Sequence, residues 1–202
     1  MPQQPEIQDI YPLSFMQEGM LFHSLYDEQS RAYFEQASFT INGQLDLDRF
    51  QKSMDAVFDR YEIFRTTFIY KNVAKPRQVV LKNRPCHVHF EDISHLNEIE
   101  KEHCTEAFKE QDKKRGFDLQ SDVLMRISVL KWAPERYVCI WSHHHILMDG
   151  WCLGIIIKDF LHIYQALGEG RLPYLQPVQP YGTYIKWLMQ QDREEAAAYW
   201  KK

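Results

Sequence analysis

Residues 123–167 constrain this chain more than any other stretch. Two extended, largely apolar runs, 123–132 and 137–142, flank Ala133-Pro134-Glu135 and read as the strands of a hairpin. His143-His144-His145 follow at once, and a loop over 143–149 ends in Asp149-Gly150. From Trp151 to Leu167 the apolar residues switch to helical spacing, with Leu153, Ile156, Ile157, Phe160 and Tyr164 in the pattern. A strand feeding a polar loop and then a helix calls for helices outside a sheet, completing one layered lobe. The fold class is therefore α/β, with a mixed or largely antiparallel sheet flanked by helices.

The rest of the chain alternates in the same way, with no internal repeat. Ser14 and Gln17 form a capping-box pattern for a helix to about Tyr26, with Met16, Met20 and Leu21 on one side. Tyr33, Ala37, Phe39 and Ile41 alternate as a strand stopped by Asn42-Gly43. Leu47, Phe50, Met54, Val57, Phe58 and Tyr61 recur at helical spacing. Strands are expected over 63–70, 78–81 and 87–90. A long polar helix carrying Leu96, Ile99 and Phe108 is expected from a cap at Ser94 to Gly116. Residues 168–180 hold Gly and Pro and form a connector; a terminal helix is expected over 181–202. Nothing after Ala198-Tyr199-Trp200 resembles a helix stop, so the end is expected to be a cut.

Composition removes several classes of function. Of the 202 residues 45% are apolar and 26% charged, the balance of an ordinary soluble protein. A formal charge of -4 argues against nucleic acid as a partner. No apolar run approaches the ~20 residues that span a bilayer, and the first residues lack the pattern of a secretory signal. Cys86, Cys104, Cys139 and Cys152 show no C-x-x-C pair and read as reduced, packing thiols, so a cytoplasmic location is expected.

The chemistry centres on the histidine run. A strand-to-helix corner holds a reactive imidazole between two rigid elements, and histidine suits proton movement near neutral pH. Against this stand plainer readings. A single loop histidine is more often structural, and Asp149 sits where a helix N-cap is wanted. His143, His145 and Asp149 are also metal-ligand types, although no fourth ligand suggests itself. Cys152 is a conceivable nucleophile, but it lies inside the following helix, where packing is the commoner role.

His144-His145-Ile146-Leu147-Met148-Asp149-Gly150 matches the H-H-x-x-x-D-G signature of non-ribosomal peptide synthetase condensation domains. Three further stretches resemble the same family in the same order. These are Tyr11–Met20, then Arg60-Tyr61-Glu62-Ile63-Phe64-Arg65-Thr66-Thr67-Phe68, then Tyr181-Gly182-Thr183-Tyr184-Ile185-Lys186-Trp187. Tyr61 and Phe64 stand where the family usually has His and Leu, which points to repacking. The opening motif resembles the subclass that accepts D-configured donors. The sequence after Gly150 lacks the S-W-R of epimerization domains, and the aspartate motif of cyclization domains is absent.

The resemblance implies a chloramphenicol-acetyltransferase-like lobe, residues 1–202 being the N-terminal half of a two-lobed domain whose C-terminal lobe is missing. It implies amide-bond formation between a donor peptidyl or aminoacyl thioester and an acceptor aminoacyl thioester, both on carrier domains. His145 is then the catalytic residue. His144, Asp149, Gly150 and Arg65 hold the loop, with Asp149 favoured as the partner of Arg65. Trp151 and Tyr184 are candidates to line the substrate channel. No bound cofactor or metal is implied, because phosphopantetheine arms belong to the donor and acceptor carrier domains; an adenylation domain is expected in the same parent chain. The lobe alone is expected to be inactive and to expose an apolar face. Two other readings stay open: a non-catalytic carrier-docking fragment, and a self-standing CoA-dependent acyltransferase.

Overall fold

The computed structural model describes residues 6–27, 31–192, 194, 198 and 199. Strand β1 (Ile7–Pro12) leads into helix α1 (Phe15–Tyr26), and β2 (Phe34–Asn42) into α2 (Leu47–Arg60). A single 3-10 turn (Glu62–Arg65) precedes β3 (Thr66–Ile69), β4 (Arg77–Leu81) and β5 (His89–Asp92). Helix α3 (Glu98–Arg115), the hairpin of β6 (Met125–Ala133) and β7 (Arg136–His144), then α4 (Gly150–Gly168) and α5 (Tyr181–Leu188) complete the order.

Among the described residues the strands form two sheets. The smaller is antiparallel in the order β1-β4-β3; the larger runs β2-β7-β6-β5, antiparallel except for the parallel β5–β6 pair. In the larger sheet Tyr137, Cys139 and Trp141 enter the main core with Phe50, Met54, Val57 and Phe58 of α2 and Ile156 and Ile163 of α4. Ile140, Leu130 and Trp132 point the other way and meet Leu96, Cys104 and Phe108 around α3. The period-two alternation of two adjacent strands thus sorts their side chains into two cores.

The α1 capping box forms as expected: Gln17 N donates to Ser14 Oγ, and Ser14 N to Gln17 Oε1. The inward line of α1 is different, however, being Gln17 and Leu21, with Met16 72% exposed. Apolar residues surround this helix, so periodicity alone does not select its buried side. Helix α3 starts three residues later than expected. Asn97 and Glu100 make the reciprocal capping box, while Ser94 is taken up by Asp92. Its C-terminus at Gly116 is as read, with a φ of 61° that favours glycine; Ile99 lies off the buried face.

The expected strand over 63–70 is half turn and half strand. The last carbonyls of a helix lack intrahelical donors. Arg65 folds back to supply them, Nε to Phe58 O at 3.0 Å and Nη2 to Asp59 O at 3.4 Å. That return requires the 3-10 turn before β3 begins. β5 lies two residues later than its expected place. β7 continues through His144, because Glu35 and Phe34 of β2 pair with His143 and His144. The expected terminal helix is described continuously only to Leu188; residues 193, 195–197 and 200–202 lie outside the described residues.

Candidate active site

The signature loop begins where β7 ends. Its first residue is still held by the ladder direction, His145 N donating to Tyr33 O at 2.8 Å. His144 O then accepts from Leu147 N, closing a turn, and Ile146, Leu147 and Met148 insert into the main core. Asp149 accepts at Oδ1 from Cys152 N at 3.1 Å and so starts α4 as its N-cap. The loop is pinned from the other side by Gln17, whose Nε2 donates to Ile146 O at 3.3 Å. Gln78 in turn donates to Gln17 Oε1 at 2.9 Å. The opening motif therefore holds the loop by one buried amide.

The three histidines occupy different environments. His143 and His144 are buried, and loss of hydration holds both imidazoles down to about 4, with neighbouring imidazoles adding to the effect. His144 accepts from Ile146 N at Nδ1, which leaves Nε2 as its protonated nitrogen, 3.5 Å from Ser24 Oγ. It is a structural, neutral ring. His145 differs: its side chain is 31% exposed and its Nδ1 lies 3.9 Å from Glu35 Oε1. Of three consecutive imidazoles, the third is by far the most exposed.

Arg65 and Asp149 do not pair. Arg65 is buried and donates to Gln8 Oε1, Lys82 O, Leu81 O and Phe58 O. Asp149 is exposed, and its hydrogen bonds at the helix start hold its carboxyl below the usual range. The guanidinium meets a set of carbonyl dipoles rather than a carboxylate, which also answers the cost of burying it. Arg65 supports the α2 terminus and β4; Asp149 supports α4. Gly150 has open space where a Cβ would lie, so no neighbouring backbone requires a glycine there. Trp151 is 88% exposed, and Tyr184 stacks on Trp187 at the surface of α5. Cys152 packs against the core with its thiol pushed up by burial, the reverse of nucleophile activation. Among the described residues no three of His, Cys, Asp and Glu converge as a metal-binding group.

Two further sets of contacts tie the second motif to distant elements, and sequence reading missed both. Glu62 accepts at Oε1 from Gly182 N at 3.2 Å, linking the second motif to the fourth. Asp159, buried in α4, accepts from Arg60 Nε at 2.8 Å and Tyr61 Oη at 2.7 Å. The tyrosine that departs from the usual histidine thus keeps a polar tip bonded to α4. Arg60 and Tyr61 were visible as motif residues, but nothing in the sequence paired them with a position nearly one hundred residues away.

The described residues thus form two sheets that deliver one partly exposed imidazole at a strand–helix corner. The chain belongs to the condensation domain family, whose model matches residues 7–202. It is 89% identical over its whole length to one of the plipastatin synthase subunits of Bacillus subtilis (strain 168), of which it covers 8%. It is 47% identical to gramicidin S synthase 2 of Brevibacillus brevis over 97% of this chain and 4% of that one. The fold matches the starter condensation domain of rhizomide synthetase with a TM-score of 0.84 at 22% identity, covering 96% of this chain and 49% of the other. The chain thus spans under a tenth of the curated relatives above and about half of that solved condensation domain. No described helix is long and apolar enough to cross a membrane.

Proposed function

We propose that this lobe carries the reacting-centre histidine of an amide-forming condensation domain, and that His145 is that residue. The observation that supports the reading best is the contrast within the triplet: His143 and His144 are buried and neutral, while His145 is partly exposed at the corner. The donor acyl group and the acceptor aminoacyl group arrive as thioesters on the phosphopantetheine arms of two peptidyl carrier domains, so the chain needs no bound cofactor of its own. The acceptor's α-amine attacks the donor carbonyl carbon, the C–S bond breaks, and the amine's proton leaves with the departing thiol by way of His145 Nε2. An α-amine has a pKa of ~7.7–8.0, so a fair fraction is neutral at pH 7. Positioning then contributes more than base strength, and well-oriented reactions recover ~7–11 kcal/mol of the barrier.

His144, Asp149, Gly150 and Arg65 act indirectly in this reading, by shaping the loop and the elements beneath it. Trp151 and Tyr184 are surface aromatics suited to line a channel once a second lobe covers them. A C-terminal lobe supplies the other wall; the N-terminal lobe alone forms little or no amide. The parent protein is a cytoplasmic synthetase with an adenylation domain in the same chain, and its donor is D-configured at the reacting end.

The test is His145→Ala in a two-lobed domain that contains this sequence, with loaded carriers and saturating acceptor. Turnover is expected to fall about 10²–10⁴-fold if the imidazole acts as a base, and less if it mainly positions the amine. Full turnover in that variant overturns the reading.

A further inference from the structure

The two nitrogens of His145 lie in unlike surroundings. Nδ1 is shut off from solvent and has no hydrogen-bond partner. The carboxylate of Asp149, next on the loop, is engaged by Cys152 N. Glu35 Oε1 lies 3.9 Å from Nδ1, about an ångström beyond hydrogen-bond length. Its side chain is half exposed. Glu35 is also fixed in place by the sheet: it pairs with His143 across the β2–β7 ladder, and Tyr33 O, two residues earlier, takes the backbone N–H of His145. Strand β2 therefore holds a carboxylate beside the imidazole from outside the loop.

A neutral imidazole has one N–H and one lone pair, and the partner on one nitrogen decides what the other can do. We propose that Glu35 is a positioning residue for His145: its carboxylate accepts Nδ1–H and fixes the tautomer in which Nε2 carries the lone pair. This rests on the reading of His145 as the reacting-centre histidine. When the amine attacks, its proton goes to Nε2, and the imidazolium then has Nδ1–H on Glu35 and Nε2–H toward the departing thiolate, which takes that proton. The Nδ1 proton stays on the ring throughout, and Glu35 touches no substrate.

The tautomer is read by nitrogen NMR of this chain with labelled imidazoles above pH 7.5, the His145 signal being identified by its loss in His145→Ala. Wild type is expected to carry the proton on Nδ1; Glu35→Ala is expected to shift the balance toward Nε2–H, and Glu35→Gln, which keeps an acceptor oxygen, to lie between. In a two-lobed domain Glu35→Ala is expected to lower kcat, by less than the roughly 10⁴-fold that a fully wrong tautomer costs, with the acceptor KM unchanged. Glu35→Gln is expected to recover part of that loss. An unchanged tautomer in Glu35→Ala and Glu35→Gln overturns the proposal, as does wild-type kcat in a well-folded Glu35→Ala. If His145→Ala alone keeps full turnover, the amide-forming reading fails instead, and the NMR result still decides whether Glu35 sets the tautomer.

Discussion

The two sides of the larger sheet are finished to different degrees. On one side α3 covers Ile93, Leu130, Trp132 and Ile140, and its outer surface carries charges. Arg126 Nε meets Asp112 Oδ1 at 2.7 Å, and Lys109 meets Glu106 at 2.7 Å. On the other side α4 buries Ile156 and Ile163 but turns Trp151, Ile155 and Leu161 outward. Helix α1 likewise exposes Phe22 and Tyr26, and α5, which packs on the smaller sheet, exposes Tyr184 and Trp187. Isolated apolar side chains at a surface are ordinary. Large aromatics on each of three helices are not, and under the proposed function a second lobe covers them. The accessible histidine stands in the loop between β7 and α4, and α4 is one of these unfinished elements.

The contrast can be broken most forcefully on the closed side. Leu130→Ala is expected to destabilise the fold by about 2–5 kcal/mol through lost burial and the cavity left behind. Urea unfolding measures it, and a loss below ~1 kcal/mol would show that the α3 core is loose.

An effect of comparable size, but confined to acid pH, comes from the buried histidines. Unfolded, each ring titrates near ~6.5; folded, burial holds His143 and His144 down to about 4. The unfolded chain therefore binds more protons across that window. Stability is complete above it and falls as pH drops through it, by roughly 1.4 kcal/mol per pH unit for each ring, levelling off below. Midpoints at pH 7 and pH 5, compared between wild type and His143→Gln/His144→Gln, isolate this from carboxylate titration. Equal slopes in both proteins would mean that the rings are wetter than the structure indicates.

The smallest stability change is expected on the open side. Trp151→Ser with Ile155→Ser should leave unfolding within ~0.5 kcal/mol of wild type, because both side chains are mostly exposed. Self-association of the lobe, followed by sedimentation, should weaken several-fold. Unaltered association would place the sticky surface elsewhere.

Much of this architecture was legible beforehand, for physical reasons that differ by element. Capping at Ser14, the Asn42-Gly43 stop and the helical spacing of α2 are local patterns, and local patterns read directly. The span of α3 was visible, but its start was misplaced because Ser94 and Asn97 both offer a cap and only Asn97 has Glu100 to answer it. The candidate site was half legible. His145 stood out by its signature, and Asp149 by its place before a helix. Arg65 was recognisably a charge in need of partners, yet a carboxylate was the wrong partner to expect, since the free carbonyls of α2 are invisible in a string of residue types.

The sequence alone determined the succession of strands and helices, the corner that carries the histidines and the family that the chain resembles. These depend on spacing, capping and turn residues within a few positions of one another. Tertiary structure decided which of three adjacent imidazoles stays exposed, where Arg65 spends its hydrogen bonds, and that Glu35 lies beside His145. Those outcomes depend on strand order and register, which bring together residues far apart in the chain, and only folding brings that about.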